Sequence, residues 1–116
     1  RSMPNKRKKR FYIAGPMSGL PEFTRPAFFA EAARQLALGN IPLNPAVHPD
    51  GLTQCEYMEL CMPMVMMADE LIMLPGWVDS AGADVEFRLA QKCDKTIHQL
   101  DDPAVSWYPT TEEEEA

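Results

Sequence analysis

The chain has 116 residues, of which 46% are hydrophobic and 24% are charged. This length and composition suit one compact domain, and they exclude a disordered or collagen-like chain. No apolar run approaches the roughly 20 residues that a membrane span requires, and no signal peptide is visible. Three cysteines without paired spacing indicate free thiols, so we expect a cytoplasmic protein.

Charge is distributed unevenly along the chain. The net charge is −6, yet six of the 11 basic residues lie within residues 1–10, and four of the 17 acidic residues lie within 112–115. The body between them is therefore acidic, which argues against a nucleic-acid partner. We predict a basic N-terminal tail over 1–10, whose first two residues we interpret as a cloning remnant, one domain over 11–100, and an acidic C-terminal tail over 101–116.

The predicted elements alternate between strands and helices. Thr24 and Ser80 are expected to act as helix N-caps, and Pro63 is expected to kink its helix or to begin a new turn. In chain order we predict strand 11–14, helix 25–38, strand 41–43, helix 54–68, strand 70–74, helix 81–92 and strand 95–100.

This order predicts an α/β fold. We expect a small three-layer, doubly wound parallel sheet of about four to five strands, Rossmann-like or flavodoxin-like, with helices on both faces. Strands 11–14 and 71–74 should be neighbouring inner strands. Ligands of such folds bind at the carboxyl ends of the strands. There the sequence places two loops, 15–19 and 75–82.

The start of the helix 81–92 carries the residues best suited to chemistry. Ser80 can cap it, Gly82 lets a ligand approach the backbone, and the N–H groups of the first turn can bind an anion. Glu86 lies one turn deeper on the same side as Gly82. The residues alone leave two interpretations open: a ligand site, or a plain cap beside a solvated glutamate.

Four ordered motifs make this sequence resemble the nucleoside 2-deoxyribosyltransferase-like superfamily. The closest resemblance is to a little-characterised phage and prophage branch, related to the 2′-deoxynucleoside 5′-monophosphate N-glycosidases. The motifs are Tyr12-Ile13-Ala14-Gly15-Pro16-Met17-Ser18-Gly19, Asn44-Pro45-Ala46, Leu74-Pro75-Gly76-Trp77 and Ser80-x-Gly82-x-x-x-Glu86.

The resemblance implies a covalent mechanism. In the family, the glutamate that matches Glu86 attacks C1′ of a 2-deoxyribosyl group, and water or another base resolves the glycosyl-enzyme. Ser80 and Gly82 match residues at the phosphate or sugar end of the cleft. Trp77 either lines the pocket or covers the edge of the core, and Tyr12 either meets the ligand or is simply buried. The cleft is also lined by the loop residues Gly15, Pro16, Met17, Ser18 and Gly19.

One position departs from the family pattern. The aspartate that handles the proton of the leaving base falls on Cys61, and a neutral thiol is a poor acid, with an ordinary pKa of about 8.5. Glu59, Asp69 or Asp79 are candidates to serve instead. Two outcomes therefore stay open: an altered N-glycosidase or transferase, and a domain that binds a nucleotide without turning it over.

The remaining expectations concern partners. The spacing of cysteine and histidine does not suit zinc, so we expect no metal and no cofactor. We expect a small nucleotide or nucleoside as ligand, and a homodimer or larger homo-oligomer, because family members close the cleft with a neighbouring chain. The alternative functions are a non-catalytic binder of a nucleotide or ADP-ribose-like ligand, and a structural oligomer with a vestigial cleft.

Overall fold

A computed structural model describes residues 7–17 and 19–100. Within these residues it has four strands and three α-helices in strict alternation. Ser18, most of the basic tail and the acidic tail 101–116 lie outside the described residues. The elements are β1 Arg10–Ala14, α1 Arg25–Ala37, β2 Ile41–Leu43, α2 Gln54–Met67, β3 Glu70–Met73, α3 Ala81–Lys92 and β4 Thr96–Gln99.

The described strands form one parallel sheet in the order β2-β1-β3-β4. The prediction that the first and third strands are neighbouring inner strands is therefore confirmed, with Tyr12 opposite Leu71 and Ile13 opposite Ile72. Parallel strands cannot be joined by a tight turn, and each connection from one strand to the next along the chain contains one α-helix. The predicted α/β class is confirmed, and the arrangement fits a small Rossmann-like, three-layer fold.

Alternation along β1 assigns its side chains to two cores. Ile13 packs with Phe28 of α1 on one face of the sheet. Tyr12 and Ala14 pack on the other face with Cys61 and Val65 of α2, and residues of α3 belong to the same cluster. Because successive side chains of a strand point to opposite faces, β1 separates the α1 layer from the α2–α3 layer.

Two helix starts follow the rules for capping and one does not. The Ser80 hydroxyl accepts a hydrogen bond from the Ala83 N–H at 3.2 Å, which confirms the predicted N-cap of α3. Thr53, which the sequence analysis did not single out, forms a capping box with Glu56 at the start of α2. Thr24 was predicted to cap α1, and this was wrong: its φ is +58° and its side chain makes no capping hydrogen bond.

The second helix runs through its proline. The structure has α2 as one element over Gln54–Met67 with the exposed Pro63 inside it, so no new helix begins there. The predicted boundaries of the other helices and strands agree with the structure to within one residue. α2 also carries Cys61 on its buried side, which brings that residue to the centre of the α2–α3 layer.

Candidate active site

A buried tyrosine and a buried glutamate meet between β1 and α3. The Tyr12 hydroxyl donates a hydrogen bond of 2.8 Å to Oε2 of Glu86, across 74 positions of sequence. Tyr12 is fully buried and Glu86 is only 6% exposed. Glu86 is therefore not a solvated helix residue, and its carboxylate has a fixed orientation.

Burial changes the ionisation of this glutamate. Removal from water penalises the charged form, and it raises the pKa of Glu86 from 4.5 to about 7 even though the hydrogen bond from Tyr12 lowers it. The pKa of Tyr12 is raised well above 10, first by its own burial and then by the charge of Glu86. At neutral pH the pair consists of a neutral phenol and a carboxyl group that is close to half ionised.

The third member of the cluster is Cys61 of α2. It is buried in the same core cluster as Tyr12 and lies within the electrostatic reach of Glu86. Burial is the main cause of the raised pKa of this thiol, so it stays protonated at neutral pH. The structure therefore places Cys61 close to the Tyr12–Glu86 pair, and its sulfur is a neutral thiol there.

The start of α3 lies at the edge of the sheet where β3 ends. Gly82 sits in its first turn, and a side chain added there would meet open space, with no atom within 4 Å. The free N–H groups of this turn and the open space beside Gly82 suit the approach of an anionic group. Ser80 is partly exposed at the same place.

The loops after β1 and β3 contact each other at this edge. A Cβ added to Gly76 would lie 3.4 Å from Cγ of Pro16, so the two loops are in van der Waals proximity. Gly15 has a packing role, because a Cβ there would come within 3.0 Å of Cβ of Leu74. Met17 packs against the α1 core instead, and Gly19 is exposed with φ +77°.

Trp77 packs into the α2–α3 core. It is 8% exposed, and its ring stacks on Phe87 with centroids 4.5 Å apart. Of the two interpretations that the sequence left open for Trp77, covering the core edge describes this contact. Phe87 was missed by the sequence analysis; its position four residues after Ala83 and three before Ala90, on the buried face of α3, was the available signal.

Asp79 is not brought to the glutamate. It is exposed at the end of the 3-10 turn Trp77–Asp79. Within the described residues, the hydrogen bond of Glu86 goes to Tyr12 and not to Asp79. Asp69, another candidate acid, forms an ion pair with Arg10. Glu59 is exposed on α2.

A concave region lies on the α1 face of the sheet, away from the Tyr12–Glu86 pair. It is an open groove of about 430 Å³, and none of the predicted site residues lines it. Phe11, Ile72 and His98 belong to its lining, and they come from the strand positions that alternate with the site-facing ones. The groove and the Tyr12–Glu86 pair are therefore separated by the sheet.

Among residues 7–17 and 19–100, no group of three or more histidine, cysteine, aspartate or glutamate side chains is placed to hold a metal ion. The same residues contain no helix that is long and apolar enough to cross a membrane.

A family model described as "Domain of unknown function (DUF4406)" matches residues 9–99, which include every strand and helix described above, from β1 to β4. A comparison with the curated proteins found no match.

Proposed function

The chain belongs to the DUF4406 family, and from the buried site of this member we propose an N-glycosidase or 2-deoxyribosyltransferase of the nucleoside 2-deoxyribosyltransferase-like kind. Its substrate is a 2′-deoxyribonucleoside or its 5′-monophosphate. The observation that carries the proposal is the hydrogen bond of 2.8 Å between the Tyr12 hydroxyl and the buried carboxylate of Glu86. A carboxylate held in this way beside the carboxyl edge of a parallel sheet suits a nucleophile.

In the proposed reaction, a carboxylate oxygen of Glu86 attacks C1′ and displaces the base. Tyr12 acts as a positioning residue, because its hydroxyl fixes the other carboxylate oxygen. The start of α3 at Ser80 and Gly82 binds the anionic or sugar end of the substrate. Water or a second base then releases the sugar from Glu86.

Access to Glu86 sets a condition on this proposal. The side chain is 6% exposed, so substrate entry must displace part of its cover. The loops after β1 and β3 adjoin this edge, where Gly19 of the first loop is exposed and Gly82 at the start of α3 faces open space. Movement of these loops would admit the sugar while the strand and helix that hold Tyr12 and Glu86 stay in place.

A non-catalytic binding function is the second candidate, and Cys61 favours it. A neutral thiol at the position of the family's acid leaves the departing base without an efficient proton donor. A protein of this kind would bind a nucleotide or an ADP-ribose-like ligand in the same cleft and release no base.

Self-association belongs to the same proposal. The outer side of α2 exposes Leu60, Met66 and Met67, which is an apolar surface on a helix that is also apolar on its buried side. Contiguous apolar side chains exposed on a helix are typical of an interaction surface. We therefore expect a homodimer or larger homo-oligomer through this surface, which sedimentation equilibrium of the wild type and of Met67→Lys would test.

The central experiment measures base release from a panel of 2′-deoxynucleosides and their 5′-monophosphates. Glu86→Gln should lower the rate by about 10³-fold or more while a thermal shift with the same nucleotide persists, because the lost interaction acts in the transition state. Asp69→Asn is the matched control, since Asp69 is engaged with Arg10 away from the site.

Three outcomes discriminate between the candidates. Base release that depends on Glu86 supports the enzyme. A thermal shift without any base release supports the binder. Base release that is unchanged in Glu86→Gln would mean that another residue is the nucleophile.

A further inference from the structure

We infer that the site takes nucleotides whose leaving base already carries a positive charge, such as N7-alkylated purines or N-glycosyl pyridiniums. The inference rests on the proposed function and narrows its substrate class. It comes from the identity of the polar side chains that surround the nucleophile, which are the hydroxyl of Tyr12 and the thiol of Cys61.

Neither of these two neighbours is suited to protonating a leaving base. The Tyr12 proton is engaged in the hydrogen bond to Glu86, and burial together with the nearby negative charge holds it on the oxygen. The Cys61 thiol has a raised pKa as well, so it is a weaker acid than an ordinary cysteine. Both groups are neutral, and of the two it is the Tyr12 hydroxyl that donates to the carboxylate.

The carboxyl groups of neighbouring elements are engaged or directed elsewhere in the described part of the chain. On α3, Asp84 pairs with Arg88 at 2.9 Å. At the start of β3, Asp69 pairs with Arg10 and Glu70 pairs with Lys9. The remaining candidates, Asp79 before α3 and Glu59 on α2, are exposed. Glu86 is therefore the carboxyl group that the fold buries at this site.

A cationic base removes the need for an acid. A carboxylate oxygen of Glu86 forms a bond to C1′, the C1′–N bond breaks, and its electron pair stays on the ring nitrogen and cancels the positive charge. The base leaves neutral without taking a proton. Water then attacks C1′, Glu86 departs as a carboxylate, and the surplus proton of the water passes to solvent. Each turnover of a cationic substrate therefore releases one proton, whereas hydrolysis of a neutral nucleotide to a neutral base releases none.

The test uses pairs of probes that share sugar and phosphate. One pair is 7-methyl-2′-deoxyguanosine 5′-monophosphate and 2′-deoxyguanosine 5′-monophosphate; the other is the 2′-deoxy form of nicotinamide mononucleotide and its reduced form, whose ring is uncharged. Base release is followed at pH 7 by chromatography, with spontaneous loss subtracted, and proton release is followed in a pH-stat. We expect kcat/KM for the cationic member of at least one pair to exceed that of the neutral member by about 10²-fold or more, the usual contribution of a missing acid.

Two substitutions at one position sharpen the test. Cys61→Asp introduces a carboxylic acid and should raise base release from the neutral member by about 10²-fold or more, with a much smaller gain for the cationic member. Cys61→Ser is the matched control, because it removes the sulfur without adding an acid and should keep the preference of the wild type. If neither variant folds, the ratio of kcat/KM between the cationic and the neutral member, measured with the wild type, tests the inference by itself.

The outcomes separate this inference from the proposed function. Release from the neutral member at a rate equal to that from the cationic member, abolished in Glu86→Gln, would overturn the inference and leave the N-glycosidase standing. Release from neither member of either pair, and from no nucleotide of the panel, would overturn both.

Discussion

Two residues apart on β1, Arg10 and Tyr12 each hold a carboxylate from another part of the chain. Arg10 binds Asp69 through its guanidinium and its backbone N–H, and this lowers the pKa of Asp69 far below its ordinary value. Tyr12 gives Glu86 one hydrogen bond in a buried place, and the pKa of Glu86 rises to about 7. A cation in partial contact with water stabilises charge, whereas a neutral hydroxyl in the core only limits the cost of burying it.

The two carboxyl groups differ in what they can do at neutral pH. The lowered pKa keeps Asp69 ionised at neutral pH, where its ion pair with Arg10 connects β1 to the start of β3. Glu86 changes its charge near neutral pH, which is typical of groups at functional sites. β1 thus carries Arg10, which forms an ion pair with Asp69, at its start, and Tyr12, which orients the carboxylate of Glu86, near its middle.

The largest expected effect is on stability, through Glu86 itself. Between pH 4.5 and about 7 the folded state binds more protons at this residue than the unfolded state does, so stability falls as pH rises through this window. The difference between the two pKa values corresponds to about 3 kcal/mol. Glu86→Gln cannot ionise, and urea denaturation should show it gaining about 3 kcal/mol over the wild type between pH 4.5 and pH 8. If the difference in free energy of unfolding between Glu86→Gln and the wild type did not change with pH, burial would not control the ionisation of Glu86.

A smaller effect is expected for Tyr12→Phe. The substitution leaves the buried carboxylate without its donor and should cost about 1–3 kcal/mol at pH 8, where Glu86 is ionised. Because the hydrogen bond lowers the pKa of Glu86, its loss should move the midpoint of the pH–rate profile of base release upward. Tyr57→Phe is the control, since the Tyr57 hydroxyl donates to the Pro49 carbonyl, away from the site. An unmoved midpoint in Tyr12→Phe would contradict the role given to this hydroxyl.

The smallest effect is expected for Asp69→Asn, with the opposite dependence on pH. The ion pair is partly exposed, so screening by water limits its contribution to about 0.5–1 kcal/mol at pH 7. Since the pKa of Asp69 is lowered in the folded state, this contribution is present above the ordinary value of 3.8 and declines as pH falls below it. Urea denaturation of both proteins at pH 7 and pH 2.5 measures this; a variant that loses more at low pH would reverse the assignment.

The sequence allowed the fold to be predicted because its signals are local. Apolar runs at 11–14 and 70–74, each followed by a Gly-Pro or Pro-Gly break, mark the inner strands, and Ser80 marks the start of α3. Thr24 resembles a cap in sequence, but it is the last residue of the 3-10 turn Pro21–Thr24, and its φ there is +58°. The residue types around Thr24 do not reveal that its φ is positive.

The sequence allowed Glu86, Cys61 and Tyr12 to be named as candidates, but it did not predict the contacts between side chains. Glu86 and Cys61 were named from a resemblance, and Tyr12 was placed near the cleft, yet nothing local states that the Tyr12 hydroxyl donates to Glu86. The choice of Phe87 as partner for Trp77 is likewise a result of packing. The pKa of Glu86 follows from burial, which only the assembled layers determine.

The distance of 74 positions between Tyr12 and Glu86 has a consequence for folding. A contact this far apart along the chain closes a long loop, and the entropy of that closure is recovered only when β3 and α3 pack beside β1. The raised pKa of Glu86 therefore arises only when these elements have packed together, not during formation of any one of them. A growing chain that has not yet produced α3 lacks both the Tyr12–Glu86 hydrogen bond and the burial that raises the pKa of Glu86.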